Sequence, residues 1–90
     1  MYEVEYTNGF KKDYKRALRR GCNESLLFEI IEQLMETGQV APKYKPHKLS
    51  GKYSGYWECH IQPNWLLIWD VDENENLISL LYTGTHSDLF

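Results

Sequence analysis

The sequence predicts an α+β fold in which a helical hairpin packs on a twisted, mostly antiparallel sheet, with elements in the order β-α-α-β-β-β-β. Three observations predict it. Between residues 8 and 37 the apolar side chains recur at spacings of three and four, the period of two amphipathic helices. After Pro42 the pattern changes to alternation, the period of strands, and short polar breaks suit hairpin turns. Residues 65–71, Trp-Leu-Leu-Ile-Trp-Asp-Val, are nearly all apolar, as a central strand buried on both faces requires. The chain has 90 residues, enough for one compact domain over residues 1–90 and not for two.

Each element follows from its own residues. Residues 2–6 alternate apolar and acidic side chains, the pattern of a half-buried strand. Thr7 or Asn8 can cap the first helix, in which Phe10, Tyr14, Ala17 and Leu18 form one apolar stripe and Gly21 ends the run. Asn23 or Ser25 can cap the second, whose Leu26, Leu27, Ile30, Ile31, Leu34 and Met35 make a broad buried face. Gly38 suits the left-handed position after it. Residues 44–49 read as a short strand, Ser50-Gly51-Lys52 as a turn, and residues 56–61 as a second, alternating strand. Gln62-Pro63-Asn64 breaks that pattern before the apolar strand. A polar loop at 72–76 leads to a last strand over residues 77–83, and residues 84–90 form a tail.

The net charge of −3 conceals a segregation. All ten Lys and Arg residues lie between Lys11 and Lys52: six in residues 11–22 beside one acid, and four in residues 43–52 with none. From residue 53 to the end there are six acids and no Lys or Arg. Two basic stretches of this kind can grip phosphate despite an acidic total, although a basic helix face is often only a solvated one. No run approaches the roughly 20 apolar residues that cross a membrane, and the acidic N-terminus lacks the pattern of a signal peptide. A cytoplasmic protein without membrane partners is therefore expected. Cys22 and Cys59 stand alone, with no metal or redox spacing.

The candidate chemistry lies in the second half. Glu58 and His60, two apart on a strand, point to one face, and His47 reaches that face if its strand pairs with theirs. His86 follows the last strand in a tail able to fold back. Imidazole titrates near neutrality and serves as proton acceptor or donor. RNA cleavage needs both roles, a base for the 2′-OH and an acid for the departing 5′-oxygen, with positive charge to offset that building on the phosphoryl oxygens. Lys45, Lys48 and Lys52 flank His47 in the chain. A zinc site from His47, Glu58, His60 and His86 is chemically reasonable, but no ligand spacing announces it. Cys59 is adjacent to His60 and so points to the opposite face of its strand, a poor arrangement for a nucleophile and base. Trp65 and Trp69 read as core; Tyr53 and Tyr56 are candidates to stack on bases.

Three segments, Pro46-His47-Lys48-Leu49-Ser50-Gly51, residues 56–68 from Tyr-Trp-Glu-Cys-His-Ile-Gln-Pro-Asn-Trp onward, and Thr83-Gly84-Thr85-His86-Ser87-Asp88-Leu89-Phe90, closely resemble the YafQ branch of the RelE toxin superfamily. With element order and length, the resemblance covers essentially the whole chain. It implies a RelE-like fold and a ribosome-dependent endoribonuclease, the toxin of a type II toxin–antitoxin pair, which cuts mRNA in the ribosomal A site. It further implies that His47, His60, His86 and Glu58 are catalytic, with His86 and His47 moving protons and His60 and Glu58 assisting, and that Phe90 positions a base. Lys45, Lys48, Lys52 and Asn64 would contact substrate. Lys11, Lys12, Lys15, Arg16, Arg19 and Arg20 would bind 16S rRNA. No metal or cofactor is implied. The expected partner is a DinJ/RelB-like antitoxin, through which alone operator DNA would be bound.

Two positions depart from the family pattern. Asn64 stands where relatives commonly carry an acid; it makes hydrogen bonds but takes no proton. Tyr82 stands where many carry an arginine, which removes a fixed phosphate clamp. Two alternatives follow: a non-catalytic inhibitor on the same scaffold, or a degenerate toxin acting only as an antitoxin-binding partner. The full histidine set argues against the first, and only Asn64 and Tyr82 support the second.

Overall fold

Thr7 starts the first helix, its hydroxyl accepting from the amide of Phe10 at 3.2 Å, and Asn23 caps the second by accepting from Ser25. Gly38, at φ 74°, closes the second helix in the left-handed region. The computed structural model describes residues 1–90. Its elements are β1 (Glu3–Tyr6), α1 (Asn8–Arg19), α2 (Glu24–Thr37), β2 (His47–Lys48), β3 (Trp57–Gln62), β4 (Trp65–Asp72), β5 (Leu77–Gly84) and α3 (His86–Leu89).

The five strands form one sheet in the order β1-β5-β4-β3-β2. The last four pair antiparallel through short turns, whereas β1 lies parallel to β5, reached by way of both helices. The two helices cover one face of this sheet. Phe10, Ala17, Leu27, Ile30, Ile31 and Leu34 pack there against Cys59, Trp65, Leu67, Trp69, Ile78 and Leu80. The other face carries a smaller apolar cluster of Leu66, Ile68 and Leu89. Residues 65–69 of β4 are all buried, as a strand covered on both faces demands.

The structure departs from the sequence reading at two places and adds two features on which that reading is silent. Residues 44–49 do not form one strand. Pro42 and Pro46 lack an amide for the ladder, Lys45 turns at φ 54°, residues 42–44 form a 3₁₀ turn, and only His47 and Lys48 pair with β3. The tail, to which the sequence assigns no element, forms the helix α3. Leu18 and Met35, expected inside, are exposed, because each helix turns only the centre of its apolar stripe toward the sheet. A register shift in β5 between its pairings to Ile68 and Trp69 adds a residue to that strand.

The helices leave one more job for side chains. β1 pairs only with the first half of β5, up to Leu80, after which the chain turns into α1. The edge of Thr83 that β1 leaves unpaired is satisfied from α1 instead: its amide donates to Asp13 Oδ2 at 3.1 Å, and its carbonyl accepts from Arg16 Nη2 at 3.4 Å. On its other side the Thr83 hydroxyl donates to the Leu66 carbonyl at 2.7 Å and accepts from the Trp65 indole at 3.0 Å.

Candidate active site

The pairing of β2 with β3 sets His47 directly opposite Glu58, so the two side chains share a sheet face. His47 Nε2 lies 3.2 Å from Glu58 Oε1. Glu58 is a carboxylate in the interior, 3% exposed, and its Oε2 has no partner. On the far side of the imidazole, Nδ1 is 2.9 Å from the carbonyl of Lys45. A carbonyl only accepts, so Nδ1 carries hydrogen and Nε2 shares a proton with the carboxyl, as imidazolium and carboxylate or imidazole and carboxylic acid. Both nitrogens of His47 are therefore occupied.

His60, two residues along β3, shares that face, its ring centroid 6.4 Å from that of His47. No hydrogen bond or ion pair engages the His60 ring or the His86 ring. Leu89 seats α3 on the same sheet face, against Leu66 and Ile68; these are the β4 partners of His60 and Glu58. Around α3 the rings form a second group. Phe90 lies 5.2 Å from His86 and 5.4 Å, edge to face, from Tyr53, which in turn lies 5.7 Å from Tyr82. Tyr53 also donates to the Leu89 carbonyl at 3.1 Å. No ring contact or hydrogen bond joins His86 to His47 or His60; the two groups share a face, each with its own contacts.

The expected cations divide. Lys45 borders an open hollow of about 450 Å³ with His60, Lys43 and Gln62. Lys52 Nζ sits 5.5 Å from the centre of the Tyr53 ring, beside Phe90. Lys48 does not join them. It pairs with Trp57 across the ladder and lies over that indole at 5.8 Å, on the face opposite Glu58, because neighbouring residues of a strand alternate. Asn64 stands away from His47, at the β3–β4 turn beside Arg16, Arg20, Gly84 and Thr85. On α1, Lys11, Lys12, Lys15 and Arg19 are exposed and unpaired. Arg16 and Arg20 are not free: Arg16 pairs with Asp13 at 3.1 Å, and Arg20 binds Asp88 through both oxygens at 2.6 and 3.2 Å.

Asp88 and Thr85 were missed from the sequence. The Thr85 hydroxyl accepts from the Asp88 amide at 3.1 Å, and Asp88 Oδ2 accepts from the Thr85 amide at 2.8 Å, a reciprocal cap that starts α3. Hydrogen bonds from Arg20, then from the Thr85 amide, hold the Asp88 carboxyl well below the usual carboxylate range. The Thr-x-x-Asp spacing was the signal; the partner Arg20 had none. Cys59 faces the helices, and burial, aided by the charge of Glu58, pushes its thiol up to about 12. It is no nucleophile. No group of three or more His, Cys, Asp or Glu side chains is arranged to hold a metal, so the four-residue zinc set is not assembled.

Such an arrangement, imidazoles with and without engaged nitrogens beside a buried carboxylate and an exposed aromatic, can move protons at a phosphodiester. Known proteins resemble the chain in sequence and fold. The mRNA interferase toxin YafQ of Escherichia coli (strain K12) is 33% identical over 89 residues, 98% of this chain and 95% of that protein. A metal-bound toxin from Helicobacter pylori is 36% identical and superposes over the full length of both chains with a TM-score of 0.90. The E. coli DinJ–YafQ toxin–antitoxin complex contains a chain 32% identical, covering 99% of this one and 97% of its own length, with a TM-score of 0.87. Residues 2–90 match the family described as bacterial toxin of type II toxin–antitoxin system, YafQ, and the chain belongs to that family.

Proposed function

We propose that this chain is an mRNA interferase, an endoribonuclease that enters the ribosomal A site and cuts mRNA without a metal ion or cofactor. The observation that carries the reading is the His47–Glu58 pair beside His60, on the sheet face to which α3 brings His86 and Phe90. The name of the E. coli relative supports the reaction class.

A base removes the 2′-OH proton, and that oxygen attacks the adjacent phosphorus. A 2′,3′-cyclic phosphate forms, the bond to the 5′-oxygen breaks, and an acid protonates that oxygen. His60 and His86 suit the two transfers because their ring nitrogens are unengaged. His47, tied at both nitrogens, instead shares its proton with Glu58 and holds that edge of the site, while Lys45 and Lys52 offer positive charge to the phosphoryl oxygens. Phe90 and Tyr53 present faces on which a base can stack. Lys11, Lys12, Lys15 and Arg19 would grip 16S rRNA. The solved E. coli complex supports a DinJ-like antitoxin as partner, with operator DNA reached only through it.

The test is to incubate the chain with programmed ribosomes and map new 5′-ends. His86→Ala is expected to slow cleavage by about 10²–10⁴-fold, the ordinary contribution of a general acid or base. Products should carry 5′-hydroxyls, and a transition-metal chelator that spares magnesium should leave the rate unchanged. Undiminished cleavage by both His60→Ala and His86→Ala would overturn the role assignment. A wild-type chain inert on ribosomes would leave the antitoxin-binding, non-catalytic reading that Asn64 and Tyr82 favour.

A further inference from the structure

Helix α3 carries His86 at its first position and leads directly into Phe90, yet it has only four residues. One turn of helix does not persist alone, because nucleation is unfavourable. Its position must come from outside contacts. Leu89 supplies an apolar one and Tyr53 a hydrogen bond. The remaining anchor is Arg20, at the end of α1, whose two terminal nitrogens meet the two oxygens of Asp88. Arg16 stands behind it, 3.8 Å from the same carboxylate and in contact with Asp13 and the Thr83 carbonyl. Gly84 makes room: a Cβ there would lie 2.8 Å from Asp88 Oδ2 and 3.1 Å from Arg16 Nη2.

We propose that Arg20, acting through Asp88, is a positioning residue of the nuclease site, a latch that fixes where His86 and Phe90 stand. The proposal rests on the nuclease reading above. Two parallel hydrogen bonds fix orientation as well as distance, which a single charge contact does not. The pair is half exposed on the arginine side, so the whole domain gains little from it. A four-residue helix with few other anchors has a low local opening free energy, and there the latch decides the population of the seated form. Arg20 is thus removed from the cations available to rRNA, in contrast with Lys11, Lys12, Lys15 and Arg19.

The experiment joins NMR of the purified chain to kinetics on programmed ribosomes. In the wild type the His86 ring protons sense the Phe90 ring and resonate away from free-histidine positions. In Arg20→Ala they should collapse toward those positions while the amide spectrum of the sheet and helices is unchanged. kcat should fall by about 10²-fold, the usual cost of a misplacement near 1 Å, with KM for ribosomes within about two-fold. Arg20→Lys should recover part of the rate, since it keeps the charge and loses the fork. Asp88→Asn should reproduce the loss from the other side. It removes no cation, so an Arg20 that bound rRNA directly would instead be freed and ribosome binding would tighten. The proposal is overturned if Arg20→Ala raises KM with the His86 resonances unmoved, if Asp88→Asn behaves as wild type, or if both variants lose amide dispersion throughout. If the wild type cleaves nothing, the nuclease reading fails, and the resonances alone decide whether the latch exists.

Discussion

Glu58 is the residue on which the site's electrostatics turn. One carboxylate oxygen faces His47 and the other is buried without a partner, an arrangement tolerable only while a proton is shared across the 3.2 Å contact. Removing the imidazole leaves a buried, unpaired acceptor. His47→Ala is therefore expected to destabilise the fold by about 1–3 kcal/mol, the cost of stranding a buried polar group. Glu58→Gln alone keeps the shape and removes the charge, and in combination it should relieve most of the His47→Ala penalty. A double-mutant cycle by urea unfolding measures this coupling; strictly additive effects would show that the two groups do not share the proton. The sequence disclosed that His47 and Glu58 would meet if their strands paired, because alternation is a backbone property. It could not disclose that Lys45 occupies Nδ1, since that contact depends on a left-handed turn at a residue where nothing in the side chain demands one.

At the level of elements, α3 and β2 were the least legible, for different reasons. Strand β2 can begin only after Pro46 and ends before the turn at residues 51–53, a restriction visible in the sequence once Pro46 is read as a ladder terminator. The cap of α3 was equally visible as Thr85-x-x-Asp88, but a helix of four residues leaves no periodicity to detect. The long elements were read correctly because their apolar faces repeat over several turns or pleats. The depressed carboxyl of Asp88 makes the seating of α3 sensitive to acid, with a defined sign. A carboxylate whose folded-state pKa lies below its unfolded value contributes stability fully above the unfolded value, near 3.9, and loses it as pH falls through the folded one. Thermal unfolding of wild type and Asp88→Asn should accordingly differ by a constant amount above about pH 5, and the difference should begin to shrink below about pH 4 and keep shrinking as pH falls toward the folded-state value. A difference that instead changes between pH 6 and 8 would assign the effect to a histidine.

For the molecule as a whole, the placement of charge matters more than its sum. The chain is acidic overall, yet its cations are gathered in residues 11–52, and folding divides them into those already paired within the protein and those left for a polyanion. That division was invisible in the sequence: Arg20 and Asp88 lie 68 residues apart, and no local pattern joins them. On the proposed function, it sets how binding to ribosomes would depend on salt. Each cation that neutralises a phosphate releases counterions and adds roughly 0.7–0.9 to the slope of log affinity against log salt. Replacing Lys11, Lys12, Lys15 and Arg19 by glutamine should therefore flatten that slope by about one unit for each residue that touches rRNA. The paired variant Arg20→Gln with Asp88→Asn removes one positive and one negative charge that already satisfy each other, and it should leave the slope as it was. Titrating ribosome binding across a range of salt concentrations distinguishes the two sets. If the paired variant flattens the slope as much as an exposed lysine does, Arg20 meets phosphate after all, and the carboxylate of Asp88 yields to RNA when the toxin binds.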